Sequence, residues 1–120
     1  MSSTGASSDG AITHVIADLT GVTVPALRDA TALTGLLVAA AGAAGFTTVG
    51  APVVRQLPDG SVAGVLFLDA CHITLRTLPE RETLLLDILA PATRDVQKAL
   101  DVFTRRLAPK ALRSETRTRG

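Results

Sequence analysis

The chain has 120 residues, with twelve Lys or Arg against eleven Asp or Glu and a formal charge of +1. That is one small domain without the basic footprint that binds a nucleic-acid backbone. Hydrophobic types make up 47% and aromatics 2%, so the core is aliphatic, and a ring platform for stacking bases is not expected.

The opening run Ser2 to Gly10 is Ser- and Gly-rich, cannot bury apolar surface, and is expected to be disordered over residues 1–10. Ile12 to Leu19 alternates and is β-rich, which predicts a first strand ended by Gly21. From Pro25, a residue suited to the first helical turn, Leu27, Ala30, Leu33, Leu37, Ala40, Ala41 and Ala44 recur at helical spacing up to a Gly45 C-cap. Gly35 and Gly42 are read as sites of close packing on a sheet. Thr47 to Leu57 and Ser61 to Asp69 read as strands joined by a Pro58-Asp59-Gly60 turn. His72 to Leu78 predicts the next strand, Pro79 and Glu80 a bend, and Thr83 to Leu89 a buried strand. Thr93 is placed as the N-cap of a helix whose Val96, Ala99, Leu100, Phe103 and Leu107 form one stripe, stopped by Pro109. Residues 110–120 are a basic C-terminal tail or edge strand; such a segment is ordinarily solvated.

These elements predict an α/β (α+β) fold, a two-layer sandwich of a mainly antiparallel sheet of about five strands with two helices packed on one face, over residues 11–109. The other sheet face stays partly apolar, and a homodimer is the expected way to cover it.

One cysteine cannot form an internal disulfide, and no charged n-region precedes an apolar h-region, so a cytoplasmic location is expected. The longest apolar stretch, Leu36 to Phe46, is too short to span a membrane, so no membrane partner is expected. Two histidines and one cysteine, without carboxylates at ligand spacing, predict no metal site.

The chemistry-bearing residues gather in the segment Leu68-Asp69-Ala70-Cys71-His72-Ile73-Thr74-Leu75-Arg76-Thr77-Leu78-Pro79-Glu80. Cys71 reads either as a small buried hydrophobe or as a reactive thiol. His72 and His14 read either as strand residues satisfied by hydrogen bonds or as proton carriers. Arg76 offers a guanidinium fork suited to a carboxylate, from Asp69 or from a ligand.

This segment resembles the self-cleavage motif of the short prokaryotic S-adenosylmethionine decarboxylases, roughly Ser-His-(aliphatic)-(small)-(aliphatic)-His-Thr-(aromatic)-Pro-Glu. The strand His14-Val15-Ile16-Ala17-Asp18-Leu19 before Gly21, and Asp59-Gly60-Ser61-Val62-Ala63-Gly64-Val65, are similar to the family's opening strand and to its lead into the cleavage strand. The resemblance covers about residues 11 to 108 and implies a proenzyme cut at Ala70-Cys71, with a pyruvoyl group derived from Cys71 as cofactor. It places Cys71, His72 and Arg76 at catalytic positions and Glu80, Gln56 and Leu78 at substrate-binding ones. Arg76 stands where the family has a processing histidine, Gln56 and Leu78 where it commonly has rings, and Pro91 or Ala90 where it has a proton-donating cysteine.

Two functions follow. One is a self-processing, pyruvoyl-dependent decarboxylase whose small-molecule substrate is S-adenosylmethionine or another amino acid, in polyamine-type or specialised metabolism. The alternative is a non-decarboxylating homologue, a binding or regulatory partner in a heteromer with an active paralogue or a protein recruited to another pathway.

Overall fold

The computed structural model describes residues 10–120; the segment expected to be disordered lies, apart from Gly10, outside the described residues. One six-stranded sheet, entirely antiparallel, carries the helices on one face. The strands are β1 (Ile12–Thr20), β2 (Val53–Gln56), β3 (Val62–Phe67), β4 (His72–Leu78), β5 (Thr83–Pro91) and β6 (Ala111–Arg119), in the order β2-β3-β4-β5-β1-β6. The helices are α1 (Val24–Leu27), α2 (Ala30–Ala43) and α3 (Val96–Leu107), with a 3-10 turn at Pro79–Arg81. No helix among the described residues is long and apolar enough to cross a membrane.

The pleat assigns alternate residues to opposite faces. Val15, Ala17 and Leu19 of β1, Ile73 and Leu75 of β4, and Leu84, Leu86, Ile88 and Ala90 of β5 pack beneath the helices. From above, Leu33, Leu36, Leu37, Ala40 and Ala41 of α2 and Ala99, Leu100, Val102 and Phe103 of α3 close the core. The alternate residues, His14, Ile16 and Asp18 of β1, Thr74 and Arg76 of β4, and Leu85, Asp87 and Leu89 of β5, look onto the helix-free face and are only partly buried.

Local chemistry moves several boundaries from their expected places. The first helix is two helices, because the Asp29 carboxylate accepts a hydrogen bond from the Ala32 amide at 3.0 Å and so caps a new helix after the short α1. The expected strand over residues 47–57 is reduced to β2, with Thr48 making a single bridge to Leu68. Gly50 with φ +75° and Pro52, which has no amide hydrogen, break the ladder between them. Thr93 does not cap α3. The chain turns at residues 91–94, where the Arg94 amide donates to Pro91, and Asp95 takes the N-cap position. Residues 111–119 pair along the whole of β1 as an edge strand, exposed on both faces.

Gly35 and Gly42 do not mediate close packing. A Cβ built on either meets nothing within 4 Å, and both are exposed. Gly35→Ala in the interior of α2 therefore removes backbone entropy from the unfolded chain without a clash. It should stabilise the fold by about 0.5–1 kcal/mol in chemical denaturation; a loss of stability would show that the helix packs at this position.

Candidate functional site

β4 is held between β3 and β5, and its two ends carry different chemistry. At its entry, the Asp69 and Ala70 side chains are exposed and Cys71 is free and half-buried. The Leu68 amide donates to the Cys71 carbonyl at 2.8 Å, closing a tight turn, and the Asp69 amide donates to Thr47 at 2.7 Å. Arg94 clamps this turn to the end of α2: its guanidinium meets Asp69 at 3.2 Å, donates to the Gly45 carbonyl at 3.0 Å, and lies 5.2 Å from the centre of the Phe46 ring. The clamp leaves the Ala70-Cys71 peptide bond at an accessible turn, where a strand interior would hide it.

At the far end, Arg76 lies roughly 16 Å along the strand from Cys71. Its guanidinium donates to the Ser61 hydroxyl at 3.2 Å, and that hydroxyl donates to Asp59 at 2.6 Å. The Ser61 amide also donates to Asp59, at 2.9 Å. The Ser61 hydrogen bonds, side chain first and then backbone, with a further contribution from the Arg76 charge, hold the Asp59 carboxyl below its usual value. A pocket of about 130 Å³ opens here between Arg28, Asp59, Ser61, Arg76, Leu78, Glu80 and Arg81.

The expected site residues are thus divided. Arg76, Leu78 and Glu80 share this pocket, whereas Cys71 and His72 stand at the other end of β4. Gln56 is committed elsewhere: its side-chain amide donates to the Arg28 carbonyl at 2.9 Å and to the Gly60 carbonyl at 3.4 Å, tying α1 to the β2–β3 turn. His72 shares the helix-free face with Thr74 and Arg76, in line with Phe67 on β3 and Leu89 on β5. His14, beyond Leu89 on β1, is satisfied by Asp87 at 3.0 Å. Ala90 is fully buried under the helices and Pro91 pairs with Ile12 at the sheet margin, so neither position offers a proton donor. Among the described residues, no three His, Cys, Asp or Glu side chains gather as metal ligands would.

The sequence of the S-adenosylmethionine decarboxylase family matches residues 13–120. The chain belongs to that family. Its relatives include the S-adenosylmethionine decarboxylase proenzyme of Archaeoglobus fulgidus, 28% identical over 108 residues, which span 89% of this chain and 96% of the relative. The crystal structure of the adenosylmethionine decarboxylase of Aquifex aeolicus superposes with a TM-score of 0.81 at 27% identity, covering 91% of this chain and 90% of that one. The six-stranded sheet with helices on one face is therefore the fold of a solved S-adenosylmethionine decarboxylase, and the protein is S-adenosylmethionine decarboxylase-like over nearly its whole length.

Sequence reasoning overlooked Ser61, Arg28 and Arg94. Asp59-Gly60-Ser61 was legible as a turn, and a side chain accepting from the amide two residues on is a known property of Asp in turns. Arg94 leaves no local signal.

Replacing Ser61 by Ala removes the hydroxyl donor that does most to hold the Asp59 carboxyl low. Asp59 should then titrate at a higher pH than in the native protein, closer to its ordinary value. Because its folded pKa is depressed, its contribution to stability is present above the unfolded pKa and lost as pH falls through the folded one. In Ser61→Ala the loss should begin at higher pH. Carboxyl-carbon NMR titration checks this; an unchanged Asp59 midpoint would contradict the hydrogen-bond assignment.

Proposed function

We propose that this protein is a divergent, self-processing, pyruvoyl-dependent decarboxylase of the cytoplasm, acting on S-adenosylmethionine or another amino acid, with Cys71 as the pyruvoyl precursor. The observation that carries the reading is the placement of the single cysteine immediately after an exposed peptide bond, in a turn fixed by Arg94 at the mouth of the central strand.

The residues present fit the making of the group. The Cys71 thiolate attacks the Ala70 carbonyl carbon; a C–S bond forms, the C–N bond breaks, and the nitrogen of residue 71 takes up a proton. Loss of the residue-71 Cα hydrogen with rupture of its Cβ–S bond leaves a thiocarboxylate on Ala70 and dehydroalanine at position 71. Water then converts dehydroalanine to the ketone and releases ammonia. His72, adjacent to the bond in the chain, carries an imidazole that can take up a proton and is the base we assign to these transfers. Arg76 cannot serve, since a guanidinium stays protonated. Once formed, the pyruvoyl group supplies an electron sink for decarboxylation. Arg76, Leu78 and Glu80 are assigned to holding the substrate.

Those two sets of residues lie too far apart in one protomer to meet on one small molecule. A homodimer pairing the helix-free faces would bring β4 of one protomer toward β4 of its partner. Ile16, Ala63, Val65, Leu85 and Leu89 lie on that face, and Phe67, 50% exposed, extends its apolar area.

The alternative, a non-decarboxylating homologue in a heteromer with an active paralogue or in another biosynthetic pathway, is favoured by one specific arrangement. Arg76 is bound to Ser61 at the wrong end of β4 to assist cleavage, and Pro91 has no proton to give.

Intact-mass analysis of purified protein separates the two. The decarboxylase reading expects chains 1–70 and 71–120, the first ending in a thiocarboxylate or its hydrolysis product; a single uncut chain after prolonged incubation would contradict it. Sedimentation velocity at micromolar concentration should report about twice the 12.4 kDa chain mass, and a 12.4 kDa species would contradict the pairing of sheet faces.

A further inference from the structure

The pocket at the far end of β4 has features that neither cleavage nor a nucleoside explains. Its walls bring together three guanidinium groups, Arg28 from the α1–α2 junction, Arg76 from β4 and Arg81 from the 3-10 turn, against two carboxylates, Asp59 and Glu80. None of the ion pairs among the described residues involves any of the three arginines. Three guanidinium groups against two carboxylates leave the concavity with an excess of positive charge, and an anion between them balances it.

The site is built. Ser61 is 1% exposed and Thr77 0% exposed, and both have their hydroxyls fixed: Thr77 accepts the Val62 amide at 2.8 Å, and Ser61 bridges Asp59 and Arg76. The Asp59–Ser61 pair thereby fixes one edge of the Arg76 guanidinium, and its remaining hydrogens have no acceptor among the hydrogen bonds of the described residues. Arg28 is laid across the turn: a Cβ on Gly60, whose φ is +85°, would come 3.3 Å from the Arg28 Nε. Gln56 holds the same turn to the Arg28 backbone.

We propose that this pocket binds a small carboxylate, one carboxylate group docking on the Arg76 fork with Arg28 and Arg81 flanking it. A volume of about 130 Å³ is below the range of roughly 300–1,000 Å³ that encloses drug-sized ligands. It encloses a carboxylate with a few further atoms, and a larger substrate would extend beyond it. Planarity selects carboxylate: the fork presents parallel N–H groups that match two coplanar oxygens. Arg76 also borders a larger groove of about 490 Å³ on the helix-free face, walled by Val53, Ala63, Val65 and Leu85. That groove is on the face proposed above to pair in the homodimer, so an aliphatic extension of the ligand would lie between the two protomers. The Asp59–Ser61 pair orients the fork without touching the ligand.

The binding stands apart from maturation, since it needs neither cleavage at Ala70-Cys71 nor the pyruvoyl group, so a chain that never cuts still tests it. Succinate, titrated into the whole protein under arginine side-chain NMR, should give saturable shifts of the Arg76 Nε–H signal. Arg76→Gln should weaken its affinity by about tenfold or more, and Arg76→Lys should not restore it, because an ammonium lacks the fork. Arg28→Gln, on a separate element, should weaken it too and keeps the test decisive if the Arg76 variant misfolds. Arg113→Gln on the exposed β6 should leave it unchanged. Inorganic phosphate should bind more weakly than succinate. Non-saturable shifts, equal affinity in Arg76→Gln and Arg28→Gln, or tighter phosphate than succinate binding would overturn the proposal.

Discussion

Antiparallel pairing holds β4 between β3 and β5, and every chemical feature of this protein depends on that strand's register. Its ladders to β3 and β5 place Ile73, Leu75 and Thr77 in the core and leave His72, Thr74 and Arg76 on the opposite face. A slip of one residue would bury the histidine and the arginine and expose the core side chains. Burial of that apolar row, with α2 and α3 covering it, is what makes the register stiff. The same stiffness keeps the thiol at the strand's entry apart from the guanidinium near its exit, because an extended strand cannot fold back on itself.

The consequence is a strand whose two ends carry different chemistry. The entry is a turn clamped by Arg94 that presents one peptide bond beside one thiol. The exit is a pocket whose arginine is oriented by a buried serine and an aspartate. The guanidinium at the exit binds oxygens well and cannot give up a proton, which suits it to anion recognition rather than proton transfer. Gln56 ties α1 to the β2–β3 turn, so its side chain is part of the scaffold.

Much of this was legible in the sequence, and for identifiable reasons. β1, β4 and β5 were readable because each has one buried face, so period-two alternation is strong. The segment around Cys71 stood out because its residues are contiguous. The break at Asp29 was missed because a helix-capping side chain interrupted an apolar stripe that runs on through both helices. Gly35 and Gly42 were misread because the Ala-rich α2 has little contrast between its faces, which hides the direction in which a small residue points. The Asp59–Ser61–Arg76 chain joins a turn to a strand through the pairing of Ala63 with Arg76, and that proximity exists only once the register is known. Arg94 reaches Asp69 and Gly45 across three segments of the fold, a relation that no local pattern encodes.

The account stands on the claim that Cys71 becomes a carbonyl. Reaction of the purified protein with phenylhydrazine, followed by mass mapping of the chain that begins at residue 71, measures this directly. One hydrazone per chain at position 71, with no thiol left there, is the expected result; an unmodified chain retaining the Cys71 thiol would contradict it.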